Sequence, residues 1–154
     1  MTKLDVLSTE HSIVSNLMRN PNLLSKLKLK PEMFTDINAQ KFVQHVLDKG
    51  KVDVNEIYYK SREDVEFIPT QVLTKLFNSN GTDKTYFMQD QMNILNEYIL
   101  NQARSETNNF QSSPSKENFK YLIEQLKELD TLTIEKDNPT DTFLTSVMEN
   151  ILSD

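Results

Sequence analysis

Apolar side chains recur along most of this 154-residue chain at the spacing of one face of an α-helix, and glycine is almost absent. Only Gly50 and Gly81 provide the backbone freedom that tight turns and bulges need. A turn-dense all-β fold would need many such positions, so the pattern predicts an all-α fold. Apolar residues make up 37% of the chain, which favours a small helical fold with much exposed surface.

The first helical stripe opens near Thr9-Glu10 and stops at Asn20-Pro21. Thr9 or Ser8 is a suitable N-cap for this helix, and proline after asparagine ends it. The residues expected to be buried lie on one face of the helix: Ile13, Val14, Leu17 and Met18.

Four further helices are predicted in the first part of the chain. Leucines within residues 22–29 indicate a short helix, after which Pro31 forces an extended conformation and Phe34 fills the turn. Residues 38–49 form a longer helix that Gly50 can cap in the left-handed conformation. Residues 52–59 are interpreted as a turn into another short helix, and the last helix is closed by Asn80-Gly81. The apolar face of the helix at residues 38–49 consists of Phe42, Val43, Val46 and Leu47. That of the last helix consists of Val72, Leu73, Leu76 and Phe77.

From residue 85 onwards the pattern changes to longer helices. Residues 85–106 predict a helix of about six turns, followed by a polar connector at 108–113. Ser113-Pro114 then provides an N-cap and a proline at the first helical position. Two long helices with a short connection predict an antiparallel hairpin. The apolar stripe of the first long helix consists of Met88, Met92, Leu95, Ile99 and Ala103, with Ile94 and Tyr98 beside it. The stripe of the second consists of Phe119, Leu122, Ile123, Leu126 and Leu129.

A mostly polar link at residues 133–139 separates one more amphipathic helix from the hairpin. The dense apolar face of this helix is costly to leave in water, so we expect it either to fold back on the same chain or to dock on another one. The predicted organisation is therefore a globular helical head (1–84), a helical hairpin (85–132), and a flexible link with a linker helix (133–154). The apolar residues of the linker helix are Phe143, Leu144, Val147, Met148, Ile151 and Leu152.

The residues needed for catalysis or metal binding are missing from the sequence. The chain has no cysteine, which excludes disulfides and thiolate metal sites and is typical of the reducing cytoplasm. Neither glycine lies in a phosphate-binding P-loop, since Gly81-Thr82-Asp83-Lys84-Thr85 lacks the required second glycine. His11 and His45 have no further ligands or nucleophile at recognisable spacing, so we interpret them as structural or surface residues, with His45 on the polar side of its helix. The first residues do not resemble a signal peptide, and no apolar run is long enough to cross a bilayer.

The charge distribution disfavours tight duplex binding. Residues 1–60 have a net charge of +2 and residues 61–154 one of −8. The best basic patch is Lys26, Lys28 and Lys30, which is too small to hold a duplex tightly and is interpreted as a solvated face. The aromatic residues that suggest base stacking are not interleaved with arginines, so core packing is the preferred interpretation. They are Tyr58, Tyr59, Tyr86, Tyr98, Tyr121 and Phe87.

The order and spacing of several short motifs in residues 8–103 resemble the N-terminal domain of DnaB-type replicative DNA helicases. These motifs are Thr9-Glu10 leading into the first stripe, Leu29-x-Pro31-Glu32-x-Phe34, and Gly50-x-Val52-Asp53. Two positions depart from the family pattern: Ser15 replaces a common glycine, and Ala39 or Gln40 stands where a histidine is common. Both departures suggest a divergent branch, and the abundance of Asn and Lys suggests a phage or mobile element.

The resemblance implies that the chain is a non-catalytic collar for a hexameric, ATP-dependent DNA helicase. Such domains dimerise through the hairpin, build a trimer of dimers, and receive primase or a helicase loader during DNA replication. ATP and Mg would then be cofactors only of a motor domain absent from this chain, DNA would be bound only by the full assembly, and the protein would be cytoplasmic with no membrane contact. The residues expected to make protein contacts are Leu95, Tyr98, Ile99, Leu122, Leu126, Leu129, Phe143, Leu144, Val147, Met148, Ile151 and Leu152.

Two alternatives remain open at this point. The helicase-binding domain of bacterial primases has a related helical head followed by a hairpin, so the chain resembles a primase fragment as well. The other alternative is a stand-alone small regulatory protein that binds a replicative helicase.

Overall fold

The computed structural model describes residues 1–79 and 81–134, and this part of the chain is all-helical, as predicted. The chain divides into two compact units, Met1–Ile94 and a second one beginning at Leu95. The predicted linker helix, with Phe143, Leu144, Val147, Met148, Ile151 and Leu152, lies outside the described residues. The helices are α1 (Lys3–Arg19), α2 (Ile37–Lys49), α3 (Val54–Glu63), α4 (Thr70–Phe77), α5 (Phe87–Ser112) and α6 (Lys116–Asp130), with 3₁₀ helices at Pro21–Lys26, Pro31–Met33 and Lys84–Tyr86.

Helix α1 begins at Lys3, which is five residues before Ser8 and six before Thr9, the two predicted N-caps. Thr2 caps it, and Thr2 and Asp5 form a capping box in which each side chain accepts a hydrogen bond from the other residue's backbone N–H at 3.1 Å. Thr9 lies inside the helix, where its hydroxyl donates to the Asp5 carbonyl. The predicted start at Ser8 or Thr9 is therefore wrong, whereas the predicted end at Asn20 is confirmed.

The core of the first unit is built on α1. The four predicted apolar residues of α1 are almost completely buried, and the helix packs against α4 and α2. Ser15 is also buried, and its hydroxyl donates a hydrogen bond to the Phe77 carbonyl of α4 at 3.3 Å. A small side chain thus lies where α1 meets α4.

The short helix predicted at residues 22–29 is a 3₁₀ helix at Pro21–Lys26, and a second 3₁₀ helix follows at Pro31–Met33. Pro21 and Pro31 each occupy the first turn of a 3₁₀ helix, where a missing N–H costs nothing. Between them the chain is extended at Leu27. Phe34 follows the second 3₁₀ helix and is 2% exposed, which confirms that it fills the turn.

Helix α2 has the caps that its sequence suggests. The Asp36 side chain accepts from the Asn38 N–H at the N-terminus, and Gly50 ends the helix with φ +71°. Phe42, Val43 and Val46 are fully buried. The predicted burial of Leu47 is wrong, because it is 41% exposed.

Helices α3 and α4 complete the first unit and pack against each other. Asp53 caps α3 by accepting from the Glu56 N–H. Leu73 and Leu76 of α4 are buried, as the stripe predicts. Helix α4 ends at Phe77, which is three residues before the predicted stop at Asn80-Gly81.

Helix α5 is longer than predicted and runs through the expected connector at residues 108–113 as far as Ser112. That connector contains no glycine or proline, and the first residue unable to continue the helix is Pro114. The N-cap of α6 is Ser115, whose hydroxyl accepts from the Asn118 N–H at 3.0 Å, so the predicted cap at Ser113-Pro114 is wrong by two residues. No helix within the described residues is long and apolar enough to cross a membrane.

Candidate interaction surface

A completely buried carboxylate joins α1 to the start of α2. The Oε2 atom of Glu10 accepts hydrogen bonds from the Thr35 N–H and the Thr35 hydroxyl, both at 2.8 Å. Its Oε1 atom accepts from the Asp36 N–H at 2.9 Å. Because two of the donors are backbone groups that would otherwise need water, Glu10 holds the turn before α2 in one conformation.

His11 extends this network towards the surface. Its Nε2 atom lies 3.1 Å from Oδ2 of Asp36, whose other oxygen caps α2. The cluster of Glu10, His11 and Asp36 superficially resembles an acid–base site, but it has no nucleophile and both Glu10 oxygens already accept hydrogen bonds. Its geometry therefore fits a structural role.

His45 differs from its prediction in being 6% exposed, so its placement on the polar side of α2 is wrong. Its Nε2 atom lies 3.2 Å from Oε1 of Glu56 on α3, and its ring contacts that of Phe67. Burial lowers the pKa of His45, and the charge of Lys60 lowers it further, while Glu56 opposes both effects. Helices α2 and α3 are thus connected by a buried imidazole.

The histidines and carboxylates do not converge on a metal site in the described ranges 1–79 and 81–134. No group of three or more such side chains lies there in a position to hold an ion.

Helix α6 presents an apolar face without one fully buried residue. We call this the α6 face and define it as Phe119, Leu122, Ile123, Leu126 and Leu129. Phe119 is 49% exposed, and its ring packs at 5.9 Å against that of Phe110 on α5. The other four are half-buried. This pattern is typical of a helix surface that another chain covers.

The residues predicted to make protein contacts fall into three groups. Leu95 and Ile99 of α5 are buried in the chain itself, so they are not available for docking in this conformation. Tyr98, Leu122, Leu126 and Leu129 are half-buried and partly accessible. The remaining six, Phe143, Leu144, Val147, Met148, Ile151 and Leu152, lie outside the described residues.

Sequence reasoning missed a buried amide, Gln91 of α5, which is completely inaccessible. Its Oε1 accepts from the Lys28 N–H at 2.7 Å, and its Nε2 donates to the Lys26 carbonyl at 3.0 Å. A polar residue inside a helical stripe resembles an exposed one in the sequence, so no pattern distinguished it.

A second missed feature surrounds Gly81. A Cβ atom there would collide with the Ser12 side chain and lie 2.9 Å from its Cα. The neighbouring Thr82 N–H donates to the Ser12 hydroxyl at 3.1 Å, and the Thr82 hydroxyl donates to the buried Asp90. Burial raises the pKa of Asp90, and the Thr82 hydrogen bond partly offsets this rise. The scarcity of glycine in the sequence was the only available indication that this position is crowded.

Comparison of the chain with protein-family models, with curated proteins and with solved structures finds no match.

Proposed function

We propose that the chain is a non-catalytic collar domain of a DnaB-type replicative DNA helicase, which supports ring assembly and docks primase or a helicase loader. The observation that carries the proposal is the α6 face, because a half-exposed apolar helix suits self-association. In this proposal a helical hairpin of α5 and α6 pairs with the same hairpin of a second copy.

The motif residues behind the resemblance support the proposal through their structural roles. Glu10 fixes the start of α2, Phe34 fills the turn before it, and Gly50 ends it in the left-handed conformation. Asp53 then caps α3. Residues that build turns at fixed intervals constrain a fold more strongly than apolar periodicity does. The likeness of these motifs to the helicase pattern therefore favours a helical head related to that of the helicase domains.

The energetics of the α6 face fit a second copy as its partner. Its five apolar side chains are each partly open to water, and covering apolar surface yields about 25 cal/mol per Å². The helix also carries exposed charges of both signs, including Lys120 and Glu124, which suit the rim of an interface. We infer that self-association buries the apolar face and leaves these charges at its edge.

Sedimentation of the chain over a range of concentrations tests the self-association. A Leu126→Asp substitution puts a charge in the centre of the α6 face, so we expect it to shift the chain towards monomer. Lys116→Gln is the matched control, since it makes the same change in net charge at an exposed position of the same helix. Equal association of the parent chain and both variants would contradict the role of this face.

Affinity capture tests the partner. A helicase collar should retain primase or a helicase loader, and it should turn over no ATP by itself. Capture of the cognate helicase without primase would instead favour a primase fragment or a helicase-binding regulator. ATP hydrolysis by the chain would refute all three assignments.

A further inference from the structure

Three lysines alternate with leucines at the end of the first 3₁₀ helix and along the short extended segment that follows it. Lys26, Lys28 and Lys30 are all exposed, whereas the alternating Leu27 and Leu29 are 8% and 2% exposed. The backbone is extended at both Leu27 (ψ 120°) and Lys30 (ψ 156°), so successive side chains point to opposite sides. Burial of the leucines therefore forces the three lysines onto the outer side. We call these three residues the lysine ridge.

The lysine ridge is held in place by a buried side chain. Gln91 uses its carbonyl oxygen for the Lys28 N–H and its amide N–H for the Lys26 carbonyl. The two hydrogen bonds replace those that a neighbouring strand would make, and they fix the extended conformation within a helical fold. Such preorganisation lowers the entropy lost when a partner binds.

The charges of the lysine ridge are not used within the described part of the chain. None of the three ammonium groups forms an ion pair with a carboxylate of residues 1–79 or 81–134. Other lysines of the same unit are paired, since Lys49 and Lys51 both approach Glu56 at 3.9 Å. Glu32 is the nearest acidic residue along the sequence and is itself exposed.

We propose that the lysine ridge binds the sugar–phosphate backbone of single-stranded nucleic acid. Alternate residues of an extended segment are about 6.6 Å apart, so the ridge offers positive charge at a regular short repeat. A phosphodiester strand carries one negative charge per nucleotide at a similarly regular repeat, and lysine pairs with phosphate as a flexible point charge.

Two features define the kind of binding expected. None of the ridge's own residues, from Lys26 to Lys30, is aromatic, so binding should be independent of base sequence. Because the ridge has only three charges on a chain of net charge −6, each copy should bind the strand weakly. Several copies that contact one strand together should bind it more tightly. An acidic protein segment is the less suitable partner, because its carboxylates need not recur at a fixed repeat.

Fluorescence anisotropy with a labelled oligo(dT) of about 16 nucleotides tests the proposal on the whole chain. Between about 50 and 200 mM salt, the logarithm of the binding constant should fall with the logarithm of salt concentration at a slope of about −2, since each of three contacts contributes about −0.7. The triple variant Lys26→Gln/Lys28→Gln/Lys30→Gln should bind about tenfold more weakly or not at all.

The matched control is Lys116→Gln/Lys120→Gln/Lys127→Gln, which removes three exposed charges from α6 and should bind like the parent chain. A Gln91→Leu variant keeps all three lysines but loses the two hydrogen bonds that hold the ridge extended. We therefore expect weaker binding at an unchanged net charge. Circular dichroism checks that each variant is folded; if Gln91→Leu unfolds, the two triple variants decide the question.

Three outcomes would overturn the proposal. The first is no binding of the parent chain at the lowest salt, and the second is an equal loss in both triple variants. The third is preferential binding of a labelled poly-glutamate peptide over oligo(dT), which would assign the ridge to an acidic protein segment. The collar proposal does not depend on this result, because it is tested through the α6 face.

Discussion

Replacing Glu10 should destabilise the chain more than any other single carboxylate change in the described residues. Its side chain is completely buried and accepts three hydrogen bonds, two of them from the backbone of Thr35 and Asp36. Glu10→Ala leaves these donors without their acceptor and removes a side chain that is itself completely buried. Such donors cost about 1–3 kcal/mol each, and the contributions overlap, so we expect a loss of about 3–5 kcal/mol.

Glu10→Gln separates the contribution of charge from that of shape. One oxygen remains to accept from Thr35, but the new amide group faces the Asp36 N–H with a second donor. We therefore expect a loss of about 1–3 kcal/mol, smaller than that of Glu10→Ala. For a chain of this length each kcal/mol lowers the melting temperature by about 2–4 °C, so thermal unfolding followed by circular dichroism resolves the two variants.

Glu32→Ala is the control, because Glu32 is exposed on the same connecting segment. We expect it to change stability by about 0.5 kcal/mol at most. If Glu10→Ala melted within a few degrees of the parent chain while Glu32→Ala behaved as expected, the buried network would not contribute to the fold in the way its geometry suggests.

Three further changes test other parts of the fold by thermal unfolding. Gly81→Ala places a Cβ against Ser12, so a loss of about 1–3 kcal/mol is expected from overpacking; an unchanged melting temperature would show that the loop is not held against α1. Burial raises the pKa of Asp90, which means that folding favours the protonated form and that stability falls as pH rises from the usual value of 3.8 through the folded pKa. Asp90→Asn should therefore stabilise the chain at pH 7 and lose this advantage below pH 3.8. The pKa of His45 is lowered, so stability should fall as pH drops from 6.5 through the folded pKa, and His45→Gln should flatten this part of the pH profile.

The apolar part of the fold could be predicted from the sequence because burial imposes a period on it. Ile13, Leu17 and Phe42 recur at helical spacing and are buried as expected. The exposed Leu47 shows the limit of this reasoning. It follows a fully buried residue, Val46, and at the edge of a helical face one step around the helix changes the exposure.

Helix ends were less predictable, because several residues compete for the same role. Both Thr2 and Thr9 are suitable N-caps, but only Thr2 has an aspartate three residues later that completes a capping box. The polar run before Pro114 resembled a connector, although asparagine and serine lower helix stability only slightly and do not end a helix. The structure accordingly continues α5 as far as the residues next to the proline.

The buried polar residues could not be predicted, because their partners are distant in the sequence. Glu10 is paired with residues about 25 positions away, and Gln91 with the backbone about 65 positions away. A pattern of apolar and polar residues treats both as surface positions. Only the fold shows that their hydrogen bonds determine where the connecting segments lie.

These buried polar contacts connect the fold to the two proposed surfaces in different ways. The lysine ridge depends on hydrogen bonds from Gln91, which is distant in the sequence, so its geometry exists only when the first unit is folded. The α6 face depends on the local period of one helix, with a cap provided by Ser115, and its apolar residues align whenever that helix forms. Substitutions that loosen the first unit should therefore weaken nucleic-acid binding before they weaken self-association. The Glu10 variants provide this comparison, because Glu10 belongs to neither surface.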